Sequence, residues 1–345
     1  MNYWREQVNN MNDLVKTQHF SKDIELINNL VSFVPKNVNL IEPFAGAGNL
    51  IQALPQYNWE AYDIEPKCAS IEQRNTLANP PSYINKWVVT NPPYLAKNKA
   101  NDLSLFCQYP DYDDLYKIAI HTILEAEGGI LIVPINFLAD EKSKKIRNEF
   151  FNKFTILQLN LFTTQMFDNT TYNVCSFFFI KNSKEFSSIE IPTTIFPQKE
   201  NFILQLSKNS DWRIGGDMLS ELKTCKNIFT RLTLAKPNPE NGYITNITID
   251  CIDKEGQPLH FYYADEPYYG KNSDRSIASL VSSVELDVDM QKSIIELANQ
   301  LINDYRVKCS NVCFTNYRDR NRKRIGFKEA YSFASLAYHK IIVRY

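Results

Sequence analysis

The chain has 345 residues, of which 44% are hydrophobic and 22% charged, with a formal net charge of −1. This is the composition of a globular chain large enough for one large domain or two ordinary ones, and it excludes fibrous and low-complexity classes. The most apolar run, Gly129 to Val133, is closed by Pro134, so it is too short to span a bilayer and no membrane partner is expected.

In chain order, the first expected element is a helix near Lys22 to Phe33, with Ile24, Ile27, Leu30, Val31 and Val34 at helix-face spacing and Ser21 as N-cap. A short strand from Val38 to Ile41 leads through a glycine-containing turn to a helix starting near Asn49. A second strand ends at Tyr62-Asp63 and a third is Trp87 to Thr90. Further on, the pattern predicts a helix over 112–126, a strand over 129–133, a helix over 140–153, and strands near 154–161 and 172–181. Strands separated by helices of this length build a parallel sheet with helices on both faces. The fold class expected is therefore α/β, doubly wound and mostly parallel. Past residue 185 the texture changes, with Pro192, Pro197, Pro237, Pro239, Pro258 and Pro267 breaking the chain and Tyr243 to Ile249 alternating as a strand. The expected division is a first domain over 1–190 and a C-terminal mixed α+β domain over 191–345.

Three strand ends carry chemistry. Glu42-Pro43-Phe44-Ala45-Gly46-Ala47-Gly48 follows the first strand, where glycines let a backbone approach a ligand and the next helix offers free N–H groups. Asp63 ends the second strand, placed to accept from both hydroxyls of a ribose. The third glycine of a pyrophosphate fingerprint and a Gly-Lys-Ser/Thr are missing, which disfavours NAD and ATP and leaves another nucleoside cofactor. After Trp87 to Thr90 comes Asn91-Pro92-Pro93-Tyr94, a turn whose acceptors could hold a planar, amino-bearing nitrogen for methyl transfer. By chance such a tetrapeptide arises in roughly one chain of this length in 500. Asn79-Pro80-Pro81-Ser82-Tyr83 nearly repeats it but follows polar residues and is read as a loop. Cys309 and Cys313 lack a second Cys/His pair, so no metal is expected.

Together these motifs resemble an S-adenosylmethionine-dependent DNA methyltransferase acting on adenine N6, with the cofactor motifs ahead of the catalytic one. The resemblance covers residues 15 to 182 and implies a seven-stranded Rossmann-like sheet. It implies S-adenosyl-L-methionine binding by His19, Phe20, Glu42, Pro43, Phe44, Gly46, Gly48, Asp63, Ile64 and Asn91, with Asn75 where the family usually has an acid. It implies catalysis by Asn91, Pro92, Pro93 and Tyr94 on an adenine flipped out of double-stranded DNA, with Phe167, or in competition Tyr172, as a second aromatic wall. It also implies bacterial restriction–modification, with a cognate restriction endonuclease acting separately. The competing readings are the same turn acting on an RNA adenine, on cytosine N4 or on a protein glutamine, and an inactive DNA-binding module. Cytosine N4 enzymes usually begin the tetrapeptide with Ser, whereas this chain has Asn91.

Residues 1–13 have no apolar core of a signal peptide, and seven cysteines without secretory context read as reduced thiols, so a cytoplasmic location is expected. Charge is distributed unevenly: residues 241–300 carry ten acids and four bases, and residues 301–345 carry ten bases and three acids. Such polarity fits a face that meets a polyanion. Arg318, Arg320, Arg322, Lys323 and Arg324 are its densest part and the expected DNA contacts. Neutralising Arg320, Arg322 and Lys323 should flatten the salt dependence of DNA binding, as measured by titration at several ionic strengths; an unchanged slope removes the stretch from the interface.

Overall fold

The computed structural model describes residues 23–167, 173–237, 239, 242–254, 256–308, 316–317 and 322–343. His19, Phe20, Ser21, Lys22, Tyr172, Cys309, Cys313, Arg318 and Arg320 lie outside them. The described chain divides into two compact units at Arg213/Ile214.

The first unit is built on a nine-stranded sheet of order β3-β2-β1-β4-β5-β7-β6-β8-β9. Its strands are β1 (Asn39–Glu42), β2 (Asn58–Asp63), β3 (Glu72–Gln73), β4 (Trp87–Thr90), β5 (Gly128–Pro134), β6 (Phe154–Phe162), β7 (Val174–Lys181), β8 (Ser188–Phe196) and β9 (Glu200–Ser207). β1, β2, β3, β4 and β5 pair in parallel along their edge of the sheet, whereas β7 runs antiparallel to both β5 and β6. The mostly parallel α/β sheet is as expected, but the count of seven strands is corrected to nine. The additional pair is the β8–β9 hairpin, which the prolines had suggested was the start of another domain. Pro192 is tolerated because the pairing of β8 with β6 begins only at Thr193, so its missing N–H removes nothing from that ladder. The two-residue strand β3 carries no apolar alternation and was not legible as a strand.

Every residue of β5 is buried, as a strand covered by helices on both faces must be. The core behind the site gathers Leu26, Ile27 and Leu30 with Leu40, Val89, Ile130 and Ile132. The expected first helix is split into Asp23–Ile27 and a 3-10 turn, Val31–Phe33. The expected helix over 112–126 is Leu115–Thr122, and that over 140–153 is a 3-10 turn, Glu141–Ser143, followed by Lys144–Lys153. Between β5 and that turn lies Asn136–Ala139, a short helix that the sequence pattern did not suggest. Arg147 is fully buried and caps its end, donating to the carbonyls of Phe137 and Asp140 at 3.0 and 2.6 Å.

In the second unit, β10 (Phe229–Arg231), β11 (Tyr243–Asp250), β12 (His260–Tyr263) and β13 (Ile277–Ser282) form an antiparallel sheet of order β10-β13-β11-β12. Helices Val288–Lys308 and Phe327–Ile342 pack on each other and on this sheet. Asn299 fixes one of these contacts: its amide accepts from Phe261 N and donates to Phe261 O, both at 2.8 Å. Within His260 to Tyr263, Phe261 is core and its neighbours are half-buried, as a strand covered on one face requires.

Gly129 sets the closeness of β4 and β5. Its φ is +148°, and a Cβ added there would stand 1.7 Å from the Val88 carbonyl oxygen. Gly129→Ala should therefore cost about 3 kcal/mol of unfolding free energy, read from urea denaturation; a loss under about 0.5 kcal/mol would mean that the strands can separate freely.

Candidate active site

The strand order reverses at β1, which has β2 on one side and β4 on the other. Loops leaving the C-terminal ends of neighbouring strands at such a point diverge to opposite faces and leave a crevice. Glu42, Asp63 and Asn91 stand at or just past the ends of β1, β2 and β4.

The loop after β1 is tied down on three sides. Asp63 is nearly fully buried, and its two carboxylate oxygens accept from Gly46 N and Glu65 N, each at 2.7 Å. Ala45 N donates to Tyr62 O at 2.8 Å, and the Thr76 hydroxyl donates to Pro43 O at 2.8 Å. Gly46 and Gly48 have φ of 53° and 80°, left-handed values that glycine adopts without strain and that the tight turn requires. Phe44 and Ile64 are half-buried beside this loop. Each carboxylate oxygen has a second lone pair, so Asp63 retains acceptor capacity beyond its two backbone partners.

Glu42 does not line this loop passively. Its Oε1 accepts the Thr90 hydroxyl at 2.6 Å, and both side chains are 1% exposed. Thr90 immediately precedes Asn91, so the bond joins the strand before the glycine turn to the strand before the Asn-Pro-Pro-Tyr turn. Sequence reasoning passed over Thr90 as the last residue of an apolar run; a hydroxyl at the C-terminal end of a buried strand was the available signal. Asn75 is half-buried, and its Oδ1 accepts from Ala78 N at 3.2 Å, which closes its own turn. That segment is carried on β2, with Arg74 N donating to Asp63 O at 2.8 Å.

Asn91, Pro92 and Pro93 are all buried. The Tyr94 hydroxyl lies 2.5 Å from Asn91 Oδ1 and 2.8 Å from Ile132 O, and with one proton it serves these two acceptors in turn. The Tyr94 ring meets Phe167 at 6.4 Å and Tyr116 at 6.3 Å, both edge-on. Phe167 is 2% exposed and packs in the core, so the structure brings it to the motif as a neighbour of Tyr94 with no open ring face. The near-repeat from Asn79 to Tyr83 is a loop, its carbonyls at Asn79 and Pro80 bonded by Arg74 at 2.9 and 3.2 Å.

In the second unit the basic hairpin pairs β14 (Asn316–Tyr317) with β15 (Lys323–Arg324). Asp253 anchors it, accepting from Lys323 N at 3.3 Å while also pairing with Arg306. Arg324 is half-buried and donates to Arg275 O at 2.6 Å, whereas Arg322 is exposed.

A strand-order reversal with an acid-anchored glycine turn after one strand and an Asn-Pro-Pro-Tyr turn after its neighbour places both turns where α/β sheets bind their ligands. The sequence profile of the N-6 DNA Methylase family matches residues 49–256, more than half of the chain, and the chain belongs to that family. No curated protein matches it. Similar solved structures include a modification subunit of a putative type I restriction enzyme from Vibrio vulnificus, with 13% identity, TM-score 0.43, and 59% of this chain covering 51% of that one. A putative class I S-adenosylmethionine-dependent methyltransferase from Listeria monocytogenes has 14% identity and TM-score 0.41, over 51% and 66% of the two chains. A type I restriction-modification methyltransferase subunit from Streptococcus thermophilus has 13% identity and TM-score 0.40, over 53% and 50%. The chain spans about half to two thirds of the length of these structures.

One further residue was missed from sequence. Asp114, half-buried at the start of helix Leu115–Thr122, accepts from Leu95 N at 3.0 Å and so fixes the residue that follows Tyr94. Burial pushes its carboxyl up to about 7, against the opposing pull of Lys117. The fold thus holds this proton more tightly than the unfolded chain does. The stability that follows is complete below the ordinary value of 3.8 and lost as pH rises through about 7. Asp114→Asn, which keeps an acceptor without the charge, should gain stability relative to the parent between pH 4.5 and 8; parallel urea midpoints across that range would refute the buried charge.

Proposed function

We propose that this chain transfers a methyl group from S-adenosyl-L-methionine to N6 of an adenine in double-stranded DNA, as the modification activity of a restriction–modification system with a separate endonuclease. The observation that carries the reading is the buried Asn91, held beside the glycine turn by the Glu42–Thr90 bond. The cofactor loop fits the proposed donor: a buried acid at a strand end, left-handed glycines and a half-buried apolar neighbour, Ile64, suit a ribose and a purine. Asp63 would accept from the ribose, with Phe44 and Ile64 against the purine and Asn75 offering an amide where the family usually has an acid. His19 and Phe20 are proposed at the methionine end from the resemblance alone.

When bound, S-adenosyl-L-methionine supplies an electrophilic methyl group on a sulfonium. Adenine's amino nitrogen is conjugated with its ring and is a poor nucleophile. Asn91 Oδ1 and the Pro92 carbonyl oxygen accept its two hydrogens and favour a pyramidal nitrogen with its lone pair directed outward. Pro92 and Pro93 fix the backbone so that these acceptors converge before the base arrives. Tyr94 releases Asn91 and stacks on the base. The adenine must leave the duplex stack to reach this depth.

Incubation with methyl-labelled cofactor and unmethylated duplex DNA, followed by digestion to nucleosides, should place the label in N6-methyladenine; label in cytosine, or none, would overturn the reading. Asn91→Ala should lower transfer by at least ~100-fold while cofactor affinity stays within about tenfold, and equal loss of both would reassign it. Asp63→Ala should weaken cofactor binding by roughly 10- to 100-fold in calorimetry, the cost of hydrogen bonds to a charged acceptor.

A further inference from the structure

The turn that follows the Asn-Pro-Pro-Tyr motif presents two lysines that form no ion pair among the described residues. Lys97 is half-buried and Lys99 exposed, on a 3-10 turn spanning Lys97–Lys99. Several other lysines of this unit are held by acids: Lys86 by Glu60, Lys117 by Asp113, Lys144 by Asp211, Lys145 by Asp111 and Lys181 by Glu127. Lys97 and Lys99 differ from the remaining unpaired ones, such as Lys36 and Lys153, in following the Asn-Pro-Pro-Tyr turn directly. Among the described residues no carboxylate pairs with Lys97 or Lys99. The acids nearest in chain and fold are already engaged. Asp102 accepts from the Ser104 backbone and hydroxyl at 2.8 and 3.0 Å, Asp114 accepts from Leu95 N, and Asp113 faces Lys117 and Lys142.

The turn is also rigidly placed. Ala96 bridges Asp114, Lys97 N donates to Asp113 O at 2.8 Å, and Leu115 N donates to Leu95 O at 3.1 Å. Lys99 N and Ala100 N close the turn on Ala96 O and Lys97 O at 2.8 and 3.3 Å. A pair of ammonium groups on a fixed backbone, with no carboxylate paired to either among the described residues, attracts a polyanion. Lys97 lies six residues beyond Asn91, so the two Cα atoms are at most ~20 Å apart, less than one turn of duplex DNA at about 34 Å.

We infer that the Lys97–Lys99 turn grips the phosphodiester backbone beside the target base, setting the register of the DNA over Asn91. This rests on the DNA-methyltransferase reading and adds to it a phosphate contact in the first unit, separate from the basic hairpin of the second. Phosphate contacts of this kind fix position without reading sequence.

The test is a Lys97→Gln/Lys99→Gln double variant of the full chain on unmethylated plasmid DNA, with binding and labelled methyl transfer both measured between 50 and 200 mM salt. Loss of two phosphate contacts should reduce the slope of log affinity against log salt by about 1.8. The DNA KM should rise by roughly tenfold, with kcat at saturating DNA within about twofold and cofactor affinity unchanged. Lys36→Gln, ahead of β1 and away from the strand C-terminal ends, should alter none of these. A slope and KM equal to the parent's would overturn the inference. If the parent binds DNA but labels no adenine, the methyl-transfer reading fails, while the binding slope still decides the role of the turn.

Discussion

The hydrogen bond from Thr90 to Glu42 ties together what the rest of the site requires. It joins the ends of β1 and β4, the paired strands at the reversal of the strand order, and it does so with both side chains removed from water. In an apolar surrounding such a bond is strong, and losing either partner would leave a buried polar group to be desolvated without return. The glycine turn and the Asn91 turn therefore cannot drift apart without breaking it. The Asp63 contacts to Gly46 and Glu65 extend the same constraint to β2. Each of the three strand ends is thereby fixed relative to its neighbour by a side chain rather than by the sheet ladder alone.

How much of this was legible in the sequence depends on which physical signal each residue emits. Gly46, Gly48 and Asp63 advertise themselves through local rules, since glycines permit left-handed turns and an acid at a strand end invites a nucleoside. Asn91 to Tyr94 is legible because two prolines after an apolar strand have few other uses. Thr90 and Asp114 were silent because their roles depend on partners 48 and 19 residues away, which no local pattern encodes. Pro192 misled in the opposite direction: read as a breaker, it sits in a strand just before the pairing with β6 begins, where its missing N–H removes nothing from that ladder. Phe167, expected as an aromatic wall, lies edge-on to Tyr94 and is buried, and no local pattern reveals which face a ring presents.

The two units carry positive charge in different ways. In the second, the basic hairpin is knitted to Asp253, Arg275 and Cys251 through backbone and side chain, so some of its charge has a structural duty. In the first, most lysines are neutralised in place and the exceptions matter more. A net charge near zero for the whole chain thus conceals local surplus, which is the quantity a polyanion responds to.

If Asn91 accepts a base's amino group as proposed, the Tyr94 hydroxyl on it has a consequence for selectivity. An acceptor that already holds a proton donor is not stripped of water when a guest arrives; it trades one donor for another. For an incoming base with an amino group this exchange is nearly even. For a base presenting a carbonyl at the same place it is a loss, because two acceptors would face each other in a site closed to solvent. On the proposed reading of Asn91, a resting tyrosine would act as a competitor that only an amine displaces on equal terms, and discrimination would begin at entry, ahead of the proposed methyl transfer.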